Sequence, residues 1–155
     1  LESIGVKNIT ISGDTRLGRV YELLNQDNQL KKIAHFVGNQ LCFVAGSTWE
    51  EDYNLINDFL TSSKEIKIII APHEVNEKSI KALEKKIKVS FTKWSTYDLK
   101  SKVESNILII DTIGQLTKIY SYASFAYVGG GMGNSGLHNT LEPAVYGIPI
   151  IIGKN

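Results

Sequence analysis

The segment GGGMGNSGLHNTLEP, residues 129–143, is where residue types and spacing most clearly suggest chemistry. Five of the chain's 13 glycines lie between Gly129 and Gly136. An apolar run precedes the segment, and a short helical pattern, which Asn139 or Thr140 can cap, follows it. Glycine backbone can be approached closely, and free N–H groups at a helix start attract anions. The pattern therefore predicts an anion site suited to phosphate.

Glu142 stands in the first turn of this helical pattern and has two interpretations. A carboxylate there interacts favourably with the helix dipole, which is a purely structural role. It could instead accept hydrogen bonds from two neighbouring sugar hydroxyls, since a carboxylate offers two oxygens. A phosphate site and a diol site one helical turn apart would together fit a nucleotide.

Two histidines are further candidates. His138 beside the glycine-rich segment could donate to a phosphate or sugar oxygen, or hold the loop by a local backbone hydrogen bond. His73 follows Pro72 at the end of an apolar run and could reach the same cleft. The spacing of His35, His73 and His138 does not suggest zinc ligation, and we expect no bound metal.

The elements that must position these residues alternate along the chain. Short runs rich in Ile and Val alternate with helical patterns, which predicts an α/β, Rossmann-like parallel sheet with helices on both faces. The predicted strands are Ile9–Ser12, Leu41–Ala45, Lys67–Ala71, Lys88–Phe91, Ile107–Ile110, Phe125–Val128 and Ile148–Ile152. The predicted helices are Arg16–Asn25, Trp49–Ser62, Asn76–Lys86, Ile113–Ala123 and Leu141–Tyr146.

Ligands of such sheets bind beyond the carboxyl ends of the strands. Small, hydroxyl and charged residues follow five of the apolar runs, in GDTR, GSTWEE, PHE, DTIGQL and the glycine-rich segment. Their shared position predicts one polar cleft at this edge of the sheet. The patterns GxGxxG, GxxxxGK[ST] and GxSxG are missing, so dinucleotide binding, Walker-type binding and a serine nucleophile elbow are poorly supported.

Composition narrows the functional classes. With 155 residues, 43% hydrophobic and 21% charged, the chain is predicted to form one soluble domain over residues 1–155. A net charge of +1 gives no case for a nucleic-acid partner. The single Cys42 is read as a small core residue of a reducing compartment. The lysines of residues 77–89 should occupy a solvated helix face, although anionic lipid headgroups would also attract them.

The quoted residues resemble the bacterial 3-deoxy-D-manno-oct-2-ulosonic acid (Kdo) transferases. The segments VGGG, HNTLEPA and YGIPIIIG are similar to that family's GG…HNxLEPAxxGxPVxxG pattern. GDTR, GSTWE and DTIGQL resemble the family's GDTR, GSTxxxE and DTxGEL segments, in the same order. The resemblance covers nearly the whole chain and implies the C-terminal, nucleotide-binding half of a two-domain GT-B glycosyltransferase.

The resemblance further implies CMP-Kdo as donor and a lipid A precursor as acceptor, in lipopolysaccharide biosynthesis at the cytoplasmic side of the bacterial inner membrane. No cofactor and no metal are implied. The general base and most membrane contact would belong to an N-terminal domain, so this chain would contain no catalytic base and would not transfer sugar alone. The chain's start and end lead us to expect a piece of a longer protein, without that domain and the extreme C-terminus.

The resemblance also assigns residues to the donor. Glu142 would hold the cytidine ribose, with Gly130, Gly131 and Asn139 at the phosphate and Kdo. The other implied binding residues are Ile113 and Gly114 near the base and Ser47, Thr48, Pro72 and His73 along the cleft between domains. The chain departs from the family where His73 directly follows Pro72, in place of an often-found arginine, and where Gln115 replaces a glutamate.

Two other functions stay open. The chain could belong to another GT-B enzyme that uses a UDP-sugar, either a transferase or an epimerase. It could also be a noncatalytic nucleotide-binding module on the same scaffold.

Overall fold

The computed structural model describes residues 2–10, 13–100 and 104–155. Within these ranges, six parallel strands form one sheet with the order β3-β4-β2-β1-β5-β6. The strands are β1 (Cys42–Thr48), β2 (Lys67–Pro72), β3 (Thr92–Lys93), β4 (Ile107–Ile109), β5 (Phe125–Val128) and β6 (Ile150–Ile152).

Six α-helices in the described part of the chain connect or flank these strands. They are α1 (Thr15–Tyr21), α2 (Lys31–Val37), α3 (Tyr53–Ser62), α4 (Glu77–Lys86), α5 (Leu116–Ile119) and α6 (Leu141–Ala144). Short 3₁₀ turns occupy Glu2–Ile4, Glu22–Leu24, Glu50–Asp52 and Tyr120–Tyr122.

The strands bury both of their faces. Alternate residues of β1 and β2 point to opposite sides, so Val44 and Ile69 join one apolar cluster while Phe43 and Ile68 join the other. The first cluster contains residues of α2 and α5, and the second contains residues of α3 and α4. This arrangement explains the continuously apolar runs and confirms the predicted parallel sheet with helices on both faces.

The sheet has a topological switch beside β1. The chain runs outward from β1 to β2 and onward, then returns to place β5 on the other side of β1. Loops leaving β1 and β5 therefore diverge at their carboxyl ends, where ligands of this sheet class bind. The segment after Thr48 and the glycine-rich segment after Val128 flank this switch.

The first predicted strand is not confirmed, and another is displaced. Residues 9 and 10 are not extended into a sheet strand, and residues 11 and 12 lie outside the described ranges. The prediction of a strand at Lys88–Phe91 was wrong, because the edge strand is Thr92–Lys93. Ile87, at the end of α4, is instead buried in the core.

Helix α2 was not predicted, although its sequence carries a helical signal. Ile33, Phe36 and Val37 have the spacing of one helical face, and all three are buried against the sheet. Cys42 is fully buried, and burial raises the pKa of its thiol to about 12. It is the small core residue that its apolar run predicted.

The lysine-rich segment forms helix α4 with its apolar side inward. Ile80 and Leu83 are buried, whereas Lys81 is exposed and paired with Glu77. No helix in residues 2–10, 13–100 and 104–155 combines the length and apolar character needed to cross a bilayer.

A substitution at Gly46 tests how much the close packing at the centre of the sheet contributes to stability. A Cβ atom there would overlap the Tyr120 hydroxyl and lie 3.0 Å from Leu116 Cδ1. Because Tyr120 is buried, we expect Gly46→Ala to lower the free energy of unfolding by about 1–3 kcal/mol in urea denaturation. The matched control is Gly18→Ala in exposed helix α1, where a Cβ meets nothing within 4 Å. It should be neutral or stabilising by about 0.4–1 kcal/mol, and equal losses in both variants would contradict the packing account.

Candidate functional site

A buried carboxylate joins the two loops at the topological switch. Asp52 is fully buried, and its Oδ1 accepts a hydrogen bond from the Tyr127 hydroxyl at 2.6 Å. Its Oδ2 accepts from the backbone N–H groups of Trp49 at 2.8 Å and Gly130 at 3.2 Å. Burial, and then the bond to Asp52, raise the pKa of Tyr127, which keeps the phenol protonated as a donor.

The first three glycines of the loop are required by packing. A Cβ on Gly129 would overlap the Ser47 carbonyl oxygen, and one on Gly130 would overlap that of Gly136. Gly130 also has a φ of 91°, in the region that favours glycine. A Cβ on Gly131 would lie 3.0 Å from the Gly153 nitrogen. These glycines allow close contact with protein backbone.

This geometry corrects part of the predicted phosphate cradle. The Gly130 N–H that was expected to face a phosphate donates to Asp52 instead. Gly131 is buried, and its carbonyl accepts from the Asn155 N–H at 2.9 Å. The reason is that the loop folds back on β1 and on the residues after β6. Both glycines shape the loop, and the structure gives the Gly130 amide no free direction toward a ligand.

Helix α6 has only one turn, so its amino end is a weaker anion site than the sequence suggested. The Leu141 N–H donates to Asn139 Oδ1 at 3.1 Å, and Pro143 has no N–H. Few free donors remain in this turn, and a four-residue helix sums few peptide dipoles. Asn139 serves as a side-chain cap, and its Nδ2 donates to Glu142 Oε1 at 3.2 Å.

Glu142 nevertheless faces a cavity. The cavity has a volume of about 570 Å³ and lies between α1, α5 and α6. Its lining residues are Arg16, Arg19, Val20, Glu22, Leu23, Gln26, Thr117, Asn139 and Glu142. Volumes of about 300–1,000 Å³ are typical of ligand sites. Glu142 was predicted to bind the ribose and Asn139 to lie at the phosphate and Kdo, and the structure places both on this cavity.

The electrostatics of the cavity centre on Glu142. Burial raises the pKa of its carboxyl group, while the Asn139 amide and the positive charge of Arg19 lower it. A ligand that donates hydrogen bonds to this half-buried carboxylate would favour its ionised form. The site is therefore suited to a neutral donor group such as a sugar diol.

Three aromatic rings stack beside the glycine-rich loop. His73 stacks on both Trp49, at 4.6 Å between ring centroids, and His138, at 4.3 Å. Trp49 and His138 lie side by side, with 10° between their ring planes. Trp49 Nε1 donates to His138 Nε2 at 2.6 Å. Because the indole nitrogen can only donate, Nε2 must accept, and in the neutral ring Nδ1 carries the proton. The sequence placed each histidine near the cleft but did not predict their contact.

The predicted cleft residues after β1 and β2 border a second cavity of about 540 Å³. Thr48 and Pro72 line it, together with residues of α4 such as Lys78 and Lys86. Thr48 is 2% exposed, its hydroxyl donates to Tyr53, and its carbonyl accepts from the His73 N–H. Ser47 is half-buried with a φ of 51°, where the pairing of β1 with β2 shifts its register between Gly46 and Thr48.

The loop after β4 lies at the same edge of the sheet. Ile113 is 81% exposed, and Gly114 has a φ of 88° that permits the turn into α5. Neither residue lines the cavity of Glu142, whereas Thr117 in the helix that follows does. The structure thus divides the predicted residues between two cavities and the surfaces around them.

Comparison with known proteins identifies the relatives. A 3-deoxy-D-manno-octulosonic acid transferase of Aquifex aeolicus is 31% identical over 114 residues, which cover 71% of this chain and 31% of that protein. The one of Haemophilus influenzae is 26% identical over 96% of this chain and 36% of its own length. The chain belongs to the Kdo transferase family. It spans about a third of these two relatives.

Two further comparisons concern a second relative and a solved structure with the same fold. A bifunctional glycosyltransferase/methyltransferase of Fusobacterium nucleatum is 34% identical over 76% of this chain and 19% of that protein. The C-terminal CMP-Kdo binding domain of WaaA from Acinetobacter baumannii has the same fold, with a TM-score of 0.62 and 19% identity. That match covers 90% of this chain and 71% of the domain. No family model matches the chain.

Four residues at or beside the site of this Kdo transferase family member were not predicted as site residues. They are Asp52, Trp49, Arg16 and Arg19. Trp49 stands in GSTWEE and Asp52 directly follows it, so their position after the apolar run of β1 was a usable signal. Arg16 stands in GDTR, which the sequence also placed at the sheet edge, whereas Arg19 lies outside the quoted segments. Their individual partners depend on contacts between distant segments.

Removal of the Asp52 carboxylate should destabilise the protein strongly. In Asp52→Ala, three donors lose their acceptor inside the protein, at about 1.5–3 kcal/mol for each hydrogen bond to a charged group. Allowing for non-additivity, we expect a loss of at least about 3 kcal/mol by urea denaturation. The matched control is Asp58→Ala, on the exposed side of α3, which should change stability by less than about 0.5 kcal/mol. Similar losses in the two variants would show that Asp52 does not join the loops.

The stacked rings should respond to acid. Burial, and then the charge of His73, lower the pKa of His138 below its ordinary value of 6.5, although Asp52 opposes this. A folded-state pKa below the unfolded one means that the stabilising contribution is present above pH 6.5 and is lost as the pH falls. We expect the Trp49 indole N–H resonance to shift only below about pH 6.5, and His138→Phe to abolish that shift. A transition above pH 6.5 would contradict the assignment of a neutral, accepting His138.

Proposed function

We propose that this chain is the donor-binding domain of a Kdo transferase and that it binds the CMP part of CMP-Kdo. The observation that carries the proposal is the cavity in which Glu142 and Asn139 meet. The Kdo transferase relatives and the shared fold with a CMP-Kdo binding domain support the choice of ligand.

In this proposal, Glu142 accepts hydrogen bonds from the 2′- and 3′-hydroxyl groups of the cytidine ribose. Its two oxygens match two adjacent donors, and a charge-assisted hydrogen bond is stronger than a neutral one. Asn139 holds the carboxylate through its Nδ2 and caps the turn through its Oδ1, so it orients Glu142. Ile113 and Gly114, in the adjoining loop, would border the base.

The Kdo group would lie beyond the phosphate, toward the stacked rings. The Nδ1–H of neutral His138 is a donor there, because Nε2 is already occupied by Trp49. His73 is exposed beside it, and Ser47, Thr48 and Pro72 form the neighbouring strand ends. Gly130 and Gly131 contribute by letting the loop pack closely enough to place His138.

The complete reaction would displace CMP from the anomeric carbon of Kdo by a hydroxyl group of a lipid A precursor. This chain would bind the leaving group, and donors placed where charge develops on the phosphate lower the barrier. The general base would come from a separate N-terminal domain of the enzyme, where the acceptor would bind at the cytoplasmic face of the membrane.

The test is a calorimetric titration of CMP into the wild-type chain and into Glu142→Ala. We expect a loss of affinity of about tenfold or more, because hydrogen bonds to charged groups contribute about 1.5–3 kcal/mol. Glu65→Ala is the matched control, since this exposed glutamate lies just before the amino end of β2, far from the cavity edge of the sheet. It should bind CMP like the wild type.

The same titration with UMP and UDP compares the alternatives. Preference for UDP would favour an enzyme that uses a UDP-sugar. A wild-type chain that binds none of the three, or a folded Glu142→Ala variant with unchanged CMP affinity, would overturn the proposal.

A further inference from the structure

The chain's two arginines both line the cavity of Glu142. The sequence contains 17 lysines and arginines, of which only Arg16 and Arg19 are arginine. They stand three positions apart in α1, so they project from neighbouring parts of the same helix surface. Lysine supplies the other positive charges, and no lysine within residues 2–10, 13–100 and 104–155 lines this cavity. The planar guanidinium, which fits phosphate with two parallel hydrogen bonds, is thus confined to this site.

The two arginines differ in their partners. Arg16 forms a bidentate pair with Asp14, in which Nη2 lies 2.7 Å from Oδ2 and Nε lies 3.0 Å from Oδ1. This hydrogen bonding lowers the pKa of Asp14 to about 2, so the pair stays ionised at neutral pH. Arg19 takes part in no ion pair among the described residues. Arg19 therefore has its guanidinium available for a ligand, whereas much of the Arg16 fork is already occupied.

Arg19 and Glu142 share one cavity without pairing to each other. An ion pair would place their charged atoms within 4 Å, and none is formed between them. They are opposite charges that line the same cavity from two different helices, α1 and α6. A ligand that presents hydroxyl groups to the carboxylate and an anion to the guanidinium would interact favourably with both side chains at once.

Charge balance adds to this argument. Glu22 and Glu142 both line the cavity, and they would repel a phosphate that approaches the ribose position. A guanidinium in the same space offsets that repulsion and forms charge-assisted hydrogen bonds with the phosphate oxygens. The Gly130 amide and the Leu141 amide at the start of α6 both donate to protein side chains, so these two groups do not supply this charge.

We infer that Arg19 binds the phosphate of the CMP group and that it is the residue that makes the cavity prefer a nucleotide over a nucleoside. The inference rests on the proposed function, because it places the ribose of the same ligand on Glu142. Arg16 is a secondary contributor, fixed by Asp14 on the same wall.

The experiment compares CMP with cytidine, which lacks the phosphate, by calorimetric titration into the same variants. Arg19→Ala should lower CMP affinity by about tenfold and leave cytidine affinity within about twofold of the wild type. Arg19→Lys keeps the charge but not the fork and should lose less. Arg16→Ala should have a smaller effect on CMP than Arg19→Ala. Lys81→Ala, on the exposed face of α4, is the control for a general loss of positive charge.

Each outcome separates this inference from the proposed function. If Glu142→Ala weakens CMP and cytidine alike but Arg19→Ala leaves the ratio of their affinities unchanged, the role of Arg19 is overturned while the proposed function stands. If Arg16→Ala alone lowers the ratio, the assignment to Arg19 is also wrong. If the wild-type chain binds neither compound, both the function and the inference fail. Arg19 is exposed in a short helix, so circular dichroism should show a fold equal to that of the wild type.

Discussion

The site depends on one buried carboxylate, that of Asp52. It holds the start of the segment after β1, the end of β5 and the glycine-rich loop through three donors. Burying a charge costs free energy unless hydrogen-bond donors surround it. The three donors must therefore stay in contact with the Asp52 carboxylate, which fixes the positions of the three elements relative to one another. The loop can then place His138 against His73 and Trp49. The glycines are a consequence of this constraint, since any side chain at Gly129 would meet the Asp52 carboxylate and the backbone of β1.

The sequence predicts the central strands well because their burial on both faces leaves uninterrupted apolar runs. β5 coincides with its predicted range, and β1, β2 and β4 differ by a few residues at their ends. The edge strand β3 is harder to predict, because it has only two residues and no apolar run. Helix α2 has a clear apolar face, but its short length and the basic residues around it hide the pattern. The local apolar pattern is therefore enough to predict the central strands of this sheet, whereas the position of its edge strand depends on tertiary packing.

The candidate site divides in the same way. Asn139 and Glu142 are three positions apart in one segment, and their joint placement on a cavity follows from local spacing. Arg19 reaches that cavity from a helix more than 100 residues earlier, so no spacing could pair it with Glu142. Asp52 stands in a run of three acidic residues that reads as an ordinary helix start, and only the fold shows that one of the three turns inward.

Glycine-rich loops are often interpreted through the ligand that bare backbone could approach, and here the protein itself occupies much of that space. Gly131 packs on Gly153, and the Gly130 amide is held by Asp52, so this part of the loop is packed against the protein. The Gly130 amide therefore cannot hold a phosphate, and a phosphate in the cavity of Glu142 would need positive charge from elsewhere. In the inferred mode of binding, the guanidinium groups of α1 would supply that charge, which the one-turn helix α6 supplies only weakly. The chemistry of the site thus follows from which donors the fold has already used, since only the remaining ones can serve a ligand.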